Sequence, residues 1–253
     1  MAKDGCRLDR LFLQTGTAVF GRFRNVRAIQ GTKSPRRPFV AVKDQNMQTA
    51  IAINCTLKQS SGEPSSTDKM IELLAGEFQK HNISLAETIR IADYDVKPGV
   101  SSDEGDGDDW PDIRTRILAA DILIFGTPIW LGQASSIAQR VLERMDAFLG
   151  ETDDAGRMPS FNKVAVAAIV GNEDGAHRVT ADLFQALNDV GWTIPAAASC
   201  YWVGEAMQST DFKDLPQPPD KIVQSAQMLA ANAAHVSRLL FANKYPGVSN
   251  SGG

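Results

Sequence analysis

Cysteine, histidine and long apolar runs are all scarce in this chain. Its 253 residues include three cysteines, Cys6, Cys55 and Cys200, none in a C-x-x-C pair. A thiolate metal cage or iron–sulfur cluster therefore has no ligand set. Three widely separated histidines argue against a zinc site. No apolar run reaches the roughly eighteen residues of a membrane-spanning helix, so no membrane role is expected. An odd cysteine count without a secretory signal fits a reducing, cytoplasmic setting. Neither G-x-G-x-x-G nor G-x-x-x-x-G-K-[ST] occurs, which removes the usual basis for a classical dinucleotide fold or a nucleoside triphosphatase. No catalytic triad or carboxylate pair stands out. Cys55 reads as a small buried residue, because no histidine base lies near it in sequence.

Charge is unevenly spread. The net charge is -4, yet residues 1–46 carry ten Lys/Arg against three Asp/Glu, and the remainder carries sixteen against twenty-seven. So acidic a body would repel a phosphate backbone, and no nucleic-acid partner is expected. Residues 1–46 read as a basic, flexible N-terminal arm ending in a Pro- and Arg-rich piece. Residues 47–245 form a single domain, and 246–253 a loose C-terminal tail. Apolar content of 43% and charged content of 22% are those of a soluble globular protein.

From residue 48 the pattern alternates. Strands are expected at "TAIAINC", within "NISLAETIRIADY", at "DILIFG", at "FNKVAVAAIV" and within "WTIPAAASCYWVG". Helices are expected at "TDKMIELLAGEFQKH", at "WPDIRTRILAA", from Gly132 to about Leu149, before Gly191 as a C-cap, and after Pro218 and Pro219. The acidic, Gly-rich "DVKPGVSSDEGDGDDWP" reads as unstructured. Arg140, Glu143 and Arg144 read as solvated or interfacial. Strand–helix alternation at these lengths gives an α/β fold with a five-stranded parallel sheet covered on both faces. Ligands in such folds bind beyond the C-terminal strand ends.

Three loops lie at those ends. The first, residues 54–67, offers the hydroxyls of Thr56, Ser60, Ser61, Ser65, Ser66 and Thr67 ahead of a helix start. Together they make an anion cradle with Lys58 on the rim; an ordinary serine-rich loop with Ser66 or Thr67 as N-cap explains the same residues. The second is "GTPIWLG", residues 126–132. Gly126 ends the strand, Pro128 stiffens the turn, and Trp130 either covers an aromatic ligand or packs on a neighbouring helix or subunit. The third is "GNEDGAH", where Gly171 and Gly175 bracket Asn172, Glu173 and Asp174 and allow close backbone approach to a ligand. His177 there is a ligand contact or a surface capping residue. Tyr201 and Trp202 read as packing or subunit-contact residues.

Taken in order, these loops resemble the NAD(P)H-dependent FMN reductase family, over residues 48–204. "GTPIWLGQASSIAQRVLERMDAF" carries the likeness best. The first loop reads Asn54-Cys55-Thr56-Leu57-Lys58 where the family more often has N-G-S-x-R. Asn172 stands where a second glycine is usual in the third. The resemblance implies a flavodoxin-like three-layer sandwich with strand order 2-1-3-4-5. It implies FMN as cofactor, with its phosphate held by residues 56–67. One side of its ring would be held by Thr127, Pro128, Ile129, Trp130, Leu131 and Gly132, the other by Gly171, Asn172, Asp174, Gly175 and His177. It further implies hydride transfer from NADPH or NADH and electron transfer to a quinone, free flavin or other small acceptor. No side-chain catalyst is then required. A homodimer or homotetramer is implied too, with Trp110, Trp130, Tyr201 and Trp202 as exposed contact aromatics. A flavodoxin-like electron carrier without nicotinamide turnover is the alternative, its acidic "SSDEGDGDD" rim serving to dock a redox partner. A non-flavin member binding another planar ligand is a third reading.

Overall fold

The structure, a computed structural model, describes residues 48–248 apart from 62, 206 and 207. The basic arm expected over 1–46 and residues 249–253 of the tail lie outside the described residues. Parallel strands β1 (Gln48–Asn54), β2 (Ile83–Arg90), β3 (Ile122–Trp130), β5 (Val164–Val170) and β6 (Ser199–Trp202) form a sheet in the order β2-β1-β3-β5-β6. A two-residue strand, β4 (Gln133–Ala134), pairs antiparallel with the end of β3. Disregarding that hairpin, the order is the expected 2-1-3-4-5.

The central strands are apolar without alternation because both faces are covered. All seven residues of β5, VAVAAIV, are buried. Helices α1 (Ser66–Gln79) and α5 (Asp220–Ala242) cover one face, where Ile122, Ile124, Val164 and Val166 meet Ile71, Leu74, Leu229 and Ala233. Helices α2 (Trp110–Ala119), α3 (Ser136–Met145) and α4 (Ala176–Asp189) cover the other, over Leu123, Phe125, Ala165 and Ala167. Strand order reverses between β1 and β3, so α1 and α3 leave on opposite faces and open a crevice there.

Four local expectations are corrected. Gly126 does not end the third strand, which continues to Trp130. A Cβ at Gly126 would lie 2.8 Å from both Ile71 Cδ1 and Thr67 Cγ2, so its bareness lets α1 close onto the sheet. The following helix starts at Ser136, not Gly132, because residues 131–134 turn back as a hairpin. That helix passes into a 3-10 turn at Asp146–Gly150. The acidic stretch 95–109 contains no helix or strand, yet it is pinned. Arg144, expected at the surface, is fully buried with Nη2 2.7 Å from Asp108 Oδ2. Its Nε and Nη1 donate to the carbonyls of Ser101 (3.0 Å) and Lys97 (2.9 Å). Finally, Trp110 is fully buried, Trp202 is 9% exposed and Tyr201 is half-buried; of the four expected surface aromatics only Trp130 is exposed.

Candidate functional site

A cleft of about 450 Å³ opens at the C-terminal edge of the sheet. It draws on all three loops. Its walls include Thr56, Lys58, Ser65, Ser66 and Thr67 after β1, residues 128–131 of the β3–β4 hairpin, and Val170, Gly171, Asn172 and Glu173 after β5. Thr127, Gly132, Asp174, Gly175, His177 and Ser60 stand outside this lining, each in a supporting contact. Thr127 is buried, accepting from the Ser135 N–H at 3.2 Å and donating to the Pro128 carbonyl. Ser60 pairs with Asp93 through both its N–H, at 2.8 Å, and its hydroxyl. His177 meets the Tyr201 hydroxyl at 2.9 Å, and the Asp174 carboxylate accepts from the Gly175 N–H at 2.6 Å.

The first wall is organised by Asn54, a fully buried residue. Its Nδ2 donates to Ser65 Oγ at 3.1 Å and Asp68 Oδ1 at 2.5 Å, and its Oδ1 accepts from the Thr56 N–H at 2.9 Å. Ser65 and Asp68 form a reciprocal capping box that starts α1. The Asp68 carboxylate, placed at a helix start, is balanced by Arg90. Thr56 and Thr67 are 5% and 1% exposed and line the cleft. The hydroxyls of these two threonines and the free N–H groups of a helix start are the donor set an anion needs.

The second wall is a two-residue hairpin turn in which Leu131 (φ +52°) and Gly132 (φ +73°) both have positive φ, the type I′ pattern. The Leu131 N–H donates to Glu173 Oε1 at 2.6 Å, tying hairpin to third loop. Close approach explains the glycines here. A Cβ at Gly171 would lie 2.9 Å from Ile129 Cβ, and one at Gly175 (φ +123°) 2.7 Å from Gly132 Cα. Ser135 caps α3, accepting from the Ala138 N–H, and donates to the Cys55 carbonyl at 2.6 Å, locking the hairpin to the end of β1. Trp130 is 54% exposed at the cleft mouth. Burial pushes the Cys55 thiol far above its usual range and Cys200 up to about 12, so neither is a nucleophile.

A fourth wall, which no motif in the sequence marks, completes the cleft. Trp202, at the end of β6, and Gln208, Asp211 and Lys213 beyond it also line the cleft. Asp211 accepts from Asn172 Nδ2 at 2.7 Å, Phe212 lies under Trp202 with centroids 5.5 Å apart, and the Lys213 N–H donates to Ser66 Oγ at 3.2 Å. The available signal is length: seventeen residues separate β6 from α5, with a 3-10 turn at Phe212–Asp214, and so long a connection is functional or a linker more often than a simple turn. Among the described residues no cluster of three or more metal-ligating side chains occurs, and no helix is long and apolar enough to cross a membrane.

The donor set fits a flat ligand with an anionic tail, and FMN is such a ligand. Hydroxyls and a helix start form one end. Ile129, Trp130 and Trp202 give the other an apolar and aromatic lining.

Comparison with known proteins agrees. A family model described as NADPH-dependent FMN reductase matches residues 50–207. The chain is 30% identical over 209 residues to the 8-demethyl-8-aminoriboflavin-5'-phosphate synthase of Streptomyces davaonensis, covering 78% of this chain and 79% of that one. It is 32% identical over 198 residues to a Mycobacterium bovis protein named divalent metal cation transporter MntH, but spans only 29% of that protein's length. Among solved structures, RosB with bound 8-demethyl-8-formylriboflavin-5'-phosphate superposes with a TM-score of 0.70 at 29% identity, over 79% of this chain and 82% of that one. An NADH:FMN oxidoreductase shares the fold at 17% identity with a TM-score of 0.53, over 81% of this chain and 97% of that one. With the strand order, the two-ended cleft and a match over most of the described sheet, the chain belongs to the NADPH-dependent FMN reductase family of flavodoxin-like, FMN-binding oxidoreductases.

Proposed function

We propose that the protein is an FMN-dependent NAD(P)H oxidoreductase that reduces a quinone, free flavin or other small acceptor. The observation that carries this reading is the chemistry of the cleft. One end offers hydroxyls and a helix start, which suit a phosphate, and the other an apolar and aromatic lining, which suits a flat ring; among the described lining residues the carboxylates, Glu173 and Asp211, are engaged by the Leu131 N–H and Asn172. FMN bound there would supply hydride acceptance from NAD(P)H and electron delivery to the acceptor. The chain's own residues have other tasks. Thr56, Thr67 and the start of α1 bind the phosphate. Pro128, Ile129, Trp130 and Leu131 hold one side of the ring, while Gly171 and Asn172 hold the other. Gly132, Gly175 and Ser135 fix the hairpin that does so, Thr127 bonds within it, and Asp174, His177 and Ser60 hold the adjoining loops. A homodimer or homotetramer, with the exposed Trp130 and Leu131 near a neighbour's pocket, belongs to the same proposal, as does a cytoplasmic location.

A second reading treats the flavin itself as the substrate. It is favoured by the Streptomyces relative, named for a riboflavin-phosphate product altered at position 8 and matched over about four-fifths of both chains. One experiment separates the two. Protein purified from cells is assayed for bound FMN and for NADPH and NADH oxidation with menadione or free FMN. The flavin is then released and weighed by mass spectrometry. Sustained NAD(P)H turnover with unaltered FMN is the expected result. A flavin of changed mass would favour the second reading. FMN-loaded protein that oxidises neither nicotinamide with any acceptor would refute the reductase and favour an electron carrier.

A further inference from the structure

The phosphate end has a weakness in its own loop. Lys58 is the loop's one described cation near the hydroxyls, and it is exposed, where water and salt screen it. The fourth wall supplies a second charge. Lys213 lines the same cleft, its side chain only 22% exposed. Its position is fixed by backbone rather than by its own side chain. Its N–H donates to Ser66 Oγ at the first residue of α1, and Lys69, one turn on, donates to the carbonyls of Lys213 (3.2 Å) and Leu215 (2.5 Å). Lys69 also lies over the Phe212 ring at 5.8 Å. The segment carrying Lys213 is thus stitched to the helix start beside which Thr56 and Thr67 line the cleft.

We propose that Lys213 is the cation that holds the FMN phosphate at the start of α1, a role the loop after β1 does not fill by itself. The inference rests on the FMN reading above. The Lys213 ammonium rests on the Asp214 carboxylate, 3.0 Å from Oδ1 and 3.3 Å from Oδ2; that side chain is 53% exposed, and a phosphate dianion arriving in the cleft would compete with it for the ammonium. A lysine whose segment is tied to a helix start and whose side chain is largely covered attracts phosphate more strongly than a fully exposed one, because fewer waters screen it. Its effect should fall on the phosphate alone, since the ring end is lined by other residues.

The test compares FMN with riboflavin, which lacks the phosphate, on the full chain stripped of flavin. Kd is read from flavin fluorescence quenching. Lys213→Met is expected to raise the Kd for FMN tenfold or more and leave that for riboflavin within twofold. Lys213→Arg should stay within threefold of wild type for FMN, and Lys58→Met should cost less than Lys213→Met. Equal losses for FMN and riboflavin in Lys213→Met would mean that the segment has collapsed, and would overturn the proposal, as would an unchanged FMN affinity. A wild-type protein that binds FMN no better than riboflavin would overturn the phosphate-end assignment with it. A wild type that binds neither flavin would refute the FMN reading itself, a separate outcome.

Discussion

Replacing Arg144 with methionine tests whether the acidic stretch 95–109 is held by one buried cation. Arg144 reaches from α3 into this loop with no solvent exposure, and its partner's side chain, Asp108, has none either. The Asp108 carboxylate also accepts from the backbone N–H groups of Glu104 (2.9 Å), Trp110 (3.2 Å) and Lys97 (3.3 Å). Methionine keeps much of the side-chain bulk beside Trp110 but strands the carboxylate. Breaking a buried pair by removing one partner costs about 3–5 kcal/mol. The two carbonyl contacts of Arg144 add little, because Ser101 is exposed and Lys97 half-buried, so both can turn to water. The three N–H donors still soften the loss, and the loop can open to rehydrate Asp108. We therefore expect about 3 kcal/mol in urea denaturation, with faster amide exchange over 95–109 than in the sheet.

The informative comparison is the double variant. Asp108→Asn alone leaves a buried guanidinium without its counter-charge. Asp108→Asn with Arg144→Met removes both charges, so it should be destabilised by at least about 1 kcal/mol less than the sum of the single losses. Strict additivity, or an Arg144→Met variant within about 0.5 kcal/mol of wild type, would refute the view that this pair holds the loop.

Two further outcomes follow from local geometry. Leu131 sits at φ +52° and is 90% exposed, so it bears left-handed strain of about 1–2 kcal/mol with almost no burial in return; Leu131→Asn, completing an Asn-Gly turn, should stabilise the flavin-free protein by about 1 kcal/mol in urea denaturation, and a loss would contradict the turn assignment. Burial pushes the Asp108 carboxyl up, but Arg144 and the three N–H groups outweigh it and hold it below the usual carboxylate range. Its stabilising effect is therefore complete above the unfolded value of about 4 and lost as pH falls through the lower folded value. Amide exchange over 95–109 should accelerate as pH drops below about 4, after correction for intrinsic rates, and Asp108→Asn should lose that dependence.

The sheet was legible because burial on both faces forces strands such as VAVAAIV to be continuously apolar, and because helices of ordinary length separate them. Strand order was not in the periodicity. It came with the resemblance of the three loops. Boundaries failed where backbone pairing overrode composition. Gly, Thr and Pro read as a stop, yet β3 runs through them because β5 offers partners as far as Val170. Arg144 shows a different limit. An arginine on an amphipathic helix reads as solvated unless something outside the helix claims it, and here the claimant is an aspartate thirty-six positions earlier in a stretch that reads as disorder.

The same limit governs the site. The walls contributed by β1, β3 and β5 could be read because each loop follows a recognisable strand and carries hydroxyls, glycines or an aromatic. The fourth wall could not, since Asp211 and Lys213 become relevant only once Asn172 and Ser66 are seen to reach them. Those two contacts join the segment after β6 to both ends of the cleft at once, to the third loop through Asp211 and to the helix start through Lys213. A ligand spanning the cleft would therefore meet one continuous wall on that side. The departures of the first loop from the family pattern, a cysteine for glycine and an exposed lysine for arginine, are best understood together with that wall: a cation that arrives from elsewhere in the chain relaxes what the loop itself has to supply.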